Sequence, residues 1–246
     1  MLAGPALAGD LTYSSPKQGD AFYSPTSMMV GDISGGLGWL DSGSNSTGFA
    51  VLGARLNMPL HDGWNLEPDL GLATAFDPSV TVAGGVAHLY KNLPNADVGV
   101  FLGGYGTSAP STSTGTFILG AEAAYYGHPN SIFGARAAYA WVSNSTSYPI
   151  LGASWDYFFT PDVKSTLRVD WMGGTSGQPD ATTGALALTK RWFGTAWSGY
   201  VQGSVTSVGS RTAYSGLVGV TWNHDNGMHQ YDHDRALPFK FATSLY

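Results

Sequence analysis

Eight charged residues stand singly or in pairs within stretches of otherwise small and apolar residues: Arg55, Glu67, Asp69, Glu122, Arg136, Asp156, Arg168 and Asp170. His88 and Arg191 occupy equivalent places. Such side chains can act in proton transfer, bind ions or set the charge of a passage. Nucleophilic catalysis needs a nucleophile beside a base, with a third group orienting that base. There is no cysteine and no G-x-S-x-G, and His88 is the one histidine inside a patterned stretch. It reads as a lining residue rather than a catalytic base, and the chain reads as a non-enzyme. A second set lies near the end, where "NHDNGMHQYDHD" holds His224, His229 and His233 with Asp225, Asp232 and Asp234. Imidazoles and carboxylates ligate metals, but these spacings match no tight site. The expectation is a polar tail with no metal and no cofactor.

The patterned stretches explain how the charges are positioned. "SIFGARAAYAWV" (131–142) splits by parity into Phe133, Ala135, Ala137, Tyr139 and Trp141 on one face, and Gly134, Arg136, Ala138 and Ala140 on the other. That period of two is a β-strand. Twelve such runs follow one another from residue 31 to 224. Mid-strand charges keep to one parity in run after run, among Gly, Ala and Ser, while Leu, Val and aromatics take the other. A soluble sheet would scatter Lys and Glu along its wet face. Here the charge-bearing face reads as the inside of a barrel and the apolar face as its lipid side. The fold class expected is all-β: a transmembrane antiparallel up-and-down barrel of twelve strands.

Aromatics gather near the run ends. Trp64, Tyr90, Tyr125, Phe133, Phe159, Trp192, Trp197 and Trp222 are expected at one membrane rim, and Trp39, Tyr139, Trp141 and Trp171 toward the other. Eight steps separate Phe133 from Trp141, roughly 26 Å at about 3.3 Å each. A strand tilt near 40° reduces this to roughly 20 Å, close to the apolar band of about 25 Å in such barrels. The breaks between runs also alternate in kind. "PLHDGW", "KNLPNAD", "GHPNS", "TPDVKS" and "RWFGTA" are short and carry Pro or Gly beside aromatics. "DSGSNST", "TSAPSTSTG", "SNSTS", "TSGQPDATT" and "SVGSRTA" are rich in Ser, Thr and Gly. Asn45 and Asn144, each in an "NST", read as polar loop tips. Two alternating classes fit strands whose two ends meet different compartments. The first class is assigned to the periplasm, which puts both termini there.

Composition agrees. Charged residues make up 11% of the 246, beside 8 Trp and 13 Tyr, against a usual charged share of about 25%. No apolar run approaches the roughly 18 residues of a transmembrane helix. A net charge of −6 without a basic run argues against a nucleic-acid partner. Residues 1–8 ("MLAGPALA") read as the remnant of a signal peptide, and 9–30 as an N-terminal periplasmic segment. The barrel takes 31–224 and the polar tail 225–246.

In its twelve alternating runs, aromatic ends and two loop classes, the chain from 31 to 224 resembles the bacterial outer-membrane β-barrel proteins, the group that includes porins. The resemblance implies a location in the outer membrane with lipid as a partner. It also implies a last strand ending in an aromatic that the assembly machinery reads; Trp222 fits, although Tyr246 also ends the chain. Twelve strands lie between eight, filled by side chains, and sixteen, which leave a water channel. Two functions stay open: passage of small hydrophilic solutes or ions with selectivity set by the inward charges, and a closed structural or surface-interacting barrel with a salt-bridged lumen. The eight mid-strand charges are three positive and five negative, so an open lumen should mildly prefer cations. Oligomerisation is compatible with either.

Overall fold

Each alternating run forms one strand. In chain order these are β1 (Val30–Asp41), β2 (Ser46–Pro59), β3 (Trp64–Phe76), β4 (Ser79–Leu93), β5 (Ala96–Ala109) and β6 (Thr112–His128). They continue as β7 (Ser131–Val142), β8 (Tyr148–Thr160), β9 (Val163–Met172), β10 (Ala181–Arg191), β11 (Trp197–Val208) and β12 (Arg211–His224). A short helix, α1 (Gln230–Ala236), follows. This computed structural model describes residues 29–43, 45–143, 147–174, 179–192, 194–224 and 228–240. The signal remnant, nearly all of the N-terminal segment, Asn144, Asp225 and the last six residues lie outside them.

Every strand pairs antiparallel with its sequence neighbours, and β12 closes on β1 from Gly31–His224 to Asp41–Tyr214. No edge remains, so the ladder pairs the backbone polar groups all the way round. Strand lengths run from 10 to 17 residues, and about 9–11 tilted residues cross a membrane.

The two faces differ as the alternation predicts. Leu37, Leu186 and Val218 are 60–64% exposed on the outside, while Glu67, Asp69 and His88 are fully buried inside. In water that arrangement would be inverted; in lipid it is the stable one. Outside, Phe133 stacks on Trp155 with centroids 6.2 Å apart, and Phe117 and Tyr139 both lean on Trp141.

The short Pro/Gly connections all lie at the end holding Val30 and His224, called here the near end, and the Ser/Thr-rich ones at the far end. Several of the latter are tighter than their composition suggests. "TSAPSTSTG" is mostly strand: Thr107–Thr114, Ser108–Ser113 and Ala109–Thr112 are paired, leaving a two-residue turn. Threonine is β-branched and suits a pleated surface, so a polar composition did not mean a long loop. "SVGSRTA" likewise closes on Gly209 (φ +58°).

One girdle assignment is corrected. Tyr90 shares the parity of His88, and the structure turns it inward, 1% exposed, with its hydroxyl donating to Ala236 O at 3.3 Å. The other eleven girdle residues are on the outer face; Trp171, partly buried, is the least exposed.

Val169 lies mid-strand on the outer face, beside Ala153 and Gly184. Val169→Arg is expected to cost about 2–4 kcal/mol for a residue near the bilayer midplane, read from urea unfolding in lipid vesicles. A neutral effect would contradict the lipid assignment of this face.

Candidate functional site

The lumen is occupied unevenly, and three groups of side chains decide where space remains. The first is apolar. Val86, Phe101, Ile118, Ala140 and Ile150 point inward from β4 to β8 and pack together, with Tyr105, Tyr148 and Met172 against them. Tyr105 and Tyr148 join hydroxyl to hydroxyl at 3.1 Å. This cluster fills one side of the barrel.

The second group is the chain's own C-terminal segment, which turns back into the near end instead of remaining a solvated tail. Backbone amides start the docking: Tyr231 N–H donates to Pro161 O at 3.0 Å, and Gln230 N–H to the Asp162 carboxylate oxygen Oδ1 at 3.2 Å. His229 meets the other oxygen of Asp162 at 3.0 Å. Within α1, Asp234 meets Lys164 Nζ at 2.8 Å, and Asp156 holds the same ammonium at 2.7 Å. The guanidinium of Arg235 lies over Tyr126, 4.9 Å from its centroid. Past the helix, Arg55 Nη1 donates to the carbonyls of Leu237 and Phe239 at 3.1 and 3.0 Å. Phe239 stacks on His88 at 5.8 Å and packs edge-on against Tyr90 at 5.2 Å. Burial would raise the Asp234 carboxyl, but Lys164 and Lys240 hold it well below the usual carboxylate range. The ion pair therefore contributes fully above the ordinary Asp value and weakens only as pH falls below it. His229 and Asp234 of the terminal motif are thus engaged with the barrel, and no metal-ligand cluster occurs among the described residues.

The third group is the charged belt. Arg55 forms a buried pair with Asp32 and stands 3.8 Å from Glu67. His88 Nδ1 meets Glu122 Oε1 at 2.6 Å. Arg136 reaches from β7 past β8 to Asp170 on β9, at 2.6 Å, and Arg168 shares that carboxylate. Gly152 of β8 lies beneath the bridge. A Cβ there would press on Asp170 Oδ1 and stand 2.7 Å from Arg136 Nε. Arg191 is buried at the near end and donates to Thr195 O at 3.3 Å. Glu67 and Asp69 are fully buried on β3.

Among the described residues these groups leave a chamber of about 250 Å3, lined from β6 round to β2 and not by β3 to β5. One wall, from β10 to β12, is uncharged and largely hydroxylic, at Thr183, Thr189, Tyr200, Gln202 and Thr221, and Ser34 of β1 extends it. The charged residues lining the chamber are cationic at Arg55, Arg136, Lys164, Arg168 and Lys240 and anionic at Asp32, Glu122, Asp156, Asp170 and Asp234. The lining is therefore balanced at five of each. Glu67 and Asp69, which tilted the sequence tally to negative, do not reach the chamber.

Of the residues expected to line the lumen, Arg55, Glu122, Arg136, Asp156, Arg168 and Asp170 border the chamber. Glu67, Asp69, His88 and Arg191 are buried in the wall and its contacts. Asp32 opens the first run without being counted among the inward charges, and Lys164 falls in the break "TPDVKS", although the structure places it in β9. Extending the parity of Ser34 and of Thr166 by one step finds both.

Gly152→Ala is expected to cost about 1–3 kcal/mol by overpacking and to loosen the Arg136–Asp170 pair. Gly106→Ala, where the nearest atom to a Cβ is Thr114 O at 3.9 Å, serves as the near-neutral control. Equal unfolding midpoints for the two would refute the close approach at Gly152.

No protein-family model matches the chain, and no curated protein matches its sequence. Solved structures do match. An outer membrane channel from Pseudomonas putida F1 aligns with TM-score 0.61 and 12% identity, over 80% of this chain and 95% of that one. The KdgM porin in complex with disordered oligogalacturonate aligns with TM-score 0.55 and 17% identity, over 78% and 98%. The CymD monoaromatic hydrocarbon channel aligns with TM-score 0.54 and 7% identity, over 85% and 92%. At these identities the likeness is one of fold. The chain has the closed antiparallel barrel found in outer-membrane porins and channels.

Proposed function

We propose that this chain is a bacterial outer-membrane channel passing small hydrophilic solutes or ions, with both termini on the periplasmic side. The observation that carries the reading is the off-centre chamber: lined by paired charges and hydroxyls among small and apolar residues, within a barrel whose outer face is Leu, Val and aromatics. Passage by this route needs no catalytic step; size and electrostatics sort the solutes. At about 250 Å3 the chamber is smaller than the roughly 300–1,000 Å3 typical of ligand pockets, which favours small solutes. Its balanced charges give weaker selectivity than the sequence tally suggested. The fold it shares with porins and channels adds support.

A second reading, a closed structural barrel, is favoured by one observation: the apolar cluster and the C-terminal segment together fill one side of the lumen.

Planar-bilayer recording separates the two. The channel reading expects discrete conductance steps from the refolded chain, or from a chain ending at His224. Arg136→Glu and Arg168→Glu should each raise the cation-to-anion permeability ratio. Silence from both chains would establish the closed barrel, and an unchanged ratio would remove these arginines from the conducting path.

A further inference from the structure

We infer that the near mouth of the barrel is a binding site for the chain's own segment 229–240, and that this segment is a resident plug whose release widens the passage. The gating half of the inference rests on the channel reading; the docking half does not.

The mouth is built for a peptide. Arg55, from the barrel wall, donates to two successive-but-one carbonyls, Leu237 and Phe239, as a receptor would hold an extended backbone. Pro161 O and Asp162 Oδ1 take the first amides of the helix. Lys164 supplies a cation for Asp234. Tyr90, Tyr126, Ile132 and Phe158 form an apolar floor that receives Tyr231 and Phe239. Leu237 is fully buried beside Val30, the first residue of β1.

The same contacts show why the segment can leave. It contributes no strand to the barrel, so every ladder bond between β1 and β12 survives its departure. α1 has seven residues, too few to be stable alone in water, so its order depends on docking. The charged and polar anchoring groups, from Arg55 to Lys164, can exchange their partners for water. Release would also uncover His88, now stacked under Phe239, and open the way toward the buried Glu67 and Asp69. The balanced lining would then turn acidic. Docking therefore controls both the size and the selectivity of the passage.

The chain has no cysteine, so Ala236→Cys gives one thiol, placed where the native side chain is 3% exposed. In the refolded full-length chain this thiol should react slowly with a water-soluble maleimide. Asp234→Lys sets two ammonium groups against each other at Lys164, and Leu237→Asp buries a carboxylate. Both lie outside the strands and leave barrel closure untouched. Each, added to Ala236→Cys, should speed labelling roughly tenfold or more, because labelling tracks the undocked population. Each should also raise single-channel conductance or open time and shift the permeability ratio toward cations. Fast labelling of the Ala236→Cys chain without either further substitution would overturn docking. Slow labelling released by both variants, with conductance unchanged, would overturn the gate while leaving the channel reading intact. Silence from every variant, despite released labelling, would overturn both the gate and the channel reading.

Discussion

In a hydrocarbon layer each unpaired backbone N–H or C=O costs several kcal/mol, and an open twelve-stranded sheet would carry a row of them on each edge. The pairing of β1 with β12 over eleven residue positions removes that cost. Everything else in the molecule follows from this closure. Once the sheet is closed, side chains have only two destinations, and the period of two sends alternate residues to the outer face and to the lumen. The bulky apolar residues of β8 face out at Leu151, Trp155 and Phe159, and Gly152, Ser154, Asp156 and Phe158, on the other parity, face the interior. The interior then becomes the place where charges can be held, provided they are paired.

How that interior is filled separates this barrel from a simple tube. Charged side chains in a confined lumen lose much of their hydration and need partners close by. The structure provides them across strands: Arg136 to Asp170 over Gly152, Arg55 to Asp32, and His88 to Glu122. Lys164 is satisfied by one carboxylate from the wall and one from α1. The C-terminal segment is thus part of the lumen's charge balance as well as its volume. The apolar cluster around Phe101 and Ile118 completes the filling on one side, which leaves the hydroxylic wall of β10 to β12 as the edge of the remaining space.

Much of this was legible in the sequence, for physical reasons. The period of two is a local property, so strand number, sidedness and the alternation of connection types could be read without tertiary information. The inward arginines and carboxylates followed from the same parity. Three things were not legible. Tyr90 looked like a girdle residue because it ended a run, although parity with His88 placed it inside. Asp32 and Lys164 lay at run ends, where strand boundaries are uncertain by a few residues. The docking of 229–240 depends on contacts between residues far apart in the chain, such as Arg55 with Leu237, and a polar composition gave no sign of it. The charge tally was misleading for a related reason: it counted Glu67 and Asp69 as if they faced open space.

Alternate residues face outward and inward around a closed barrel, and the cysteine-free chain allows a direct test, by nitroxide scanning of β8, of the proposal that the outer face meets lipid. Single Cys substitutions from Leu151 to Asp156, spin-labelled in lipid vesicles, would be compared for collision with oxygen, which concentrates in lipid, and with a water-soluble nickel complex. Oxygen accessibility should be high at 151, 153 and 155 and low at 152, 154 and 156, with nickel accessibility in the opposite phase. A flat profile, or a period near 3.6, would contradict the barrel and the channel reading built on it.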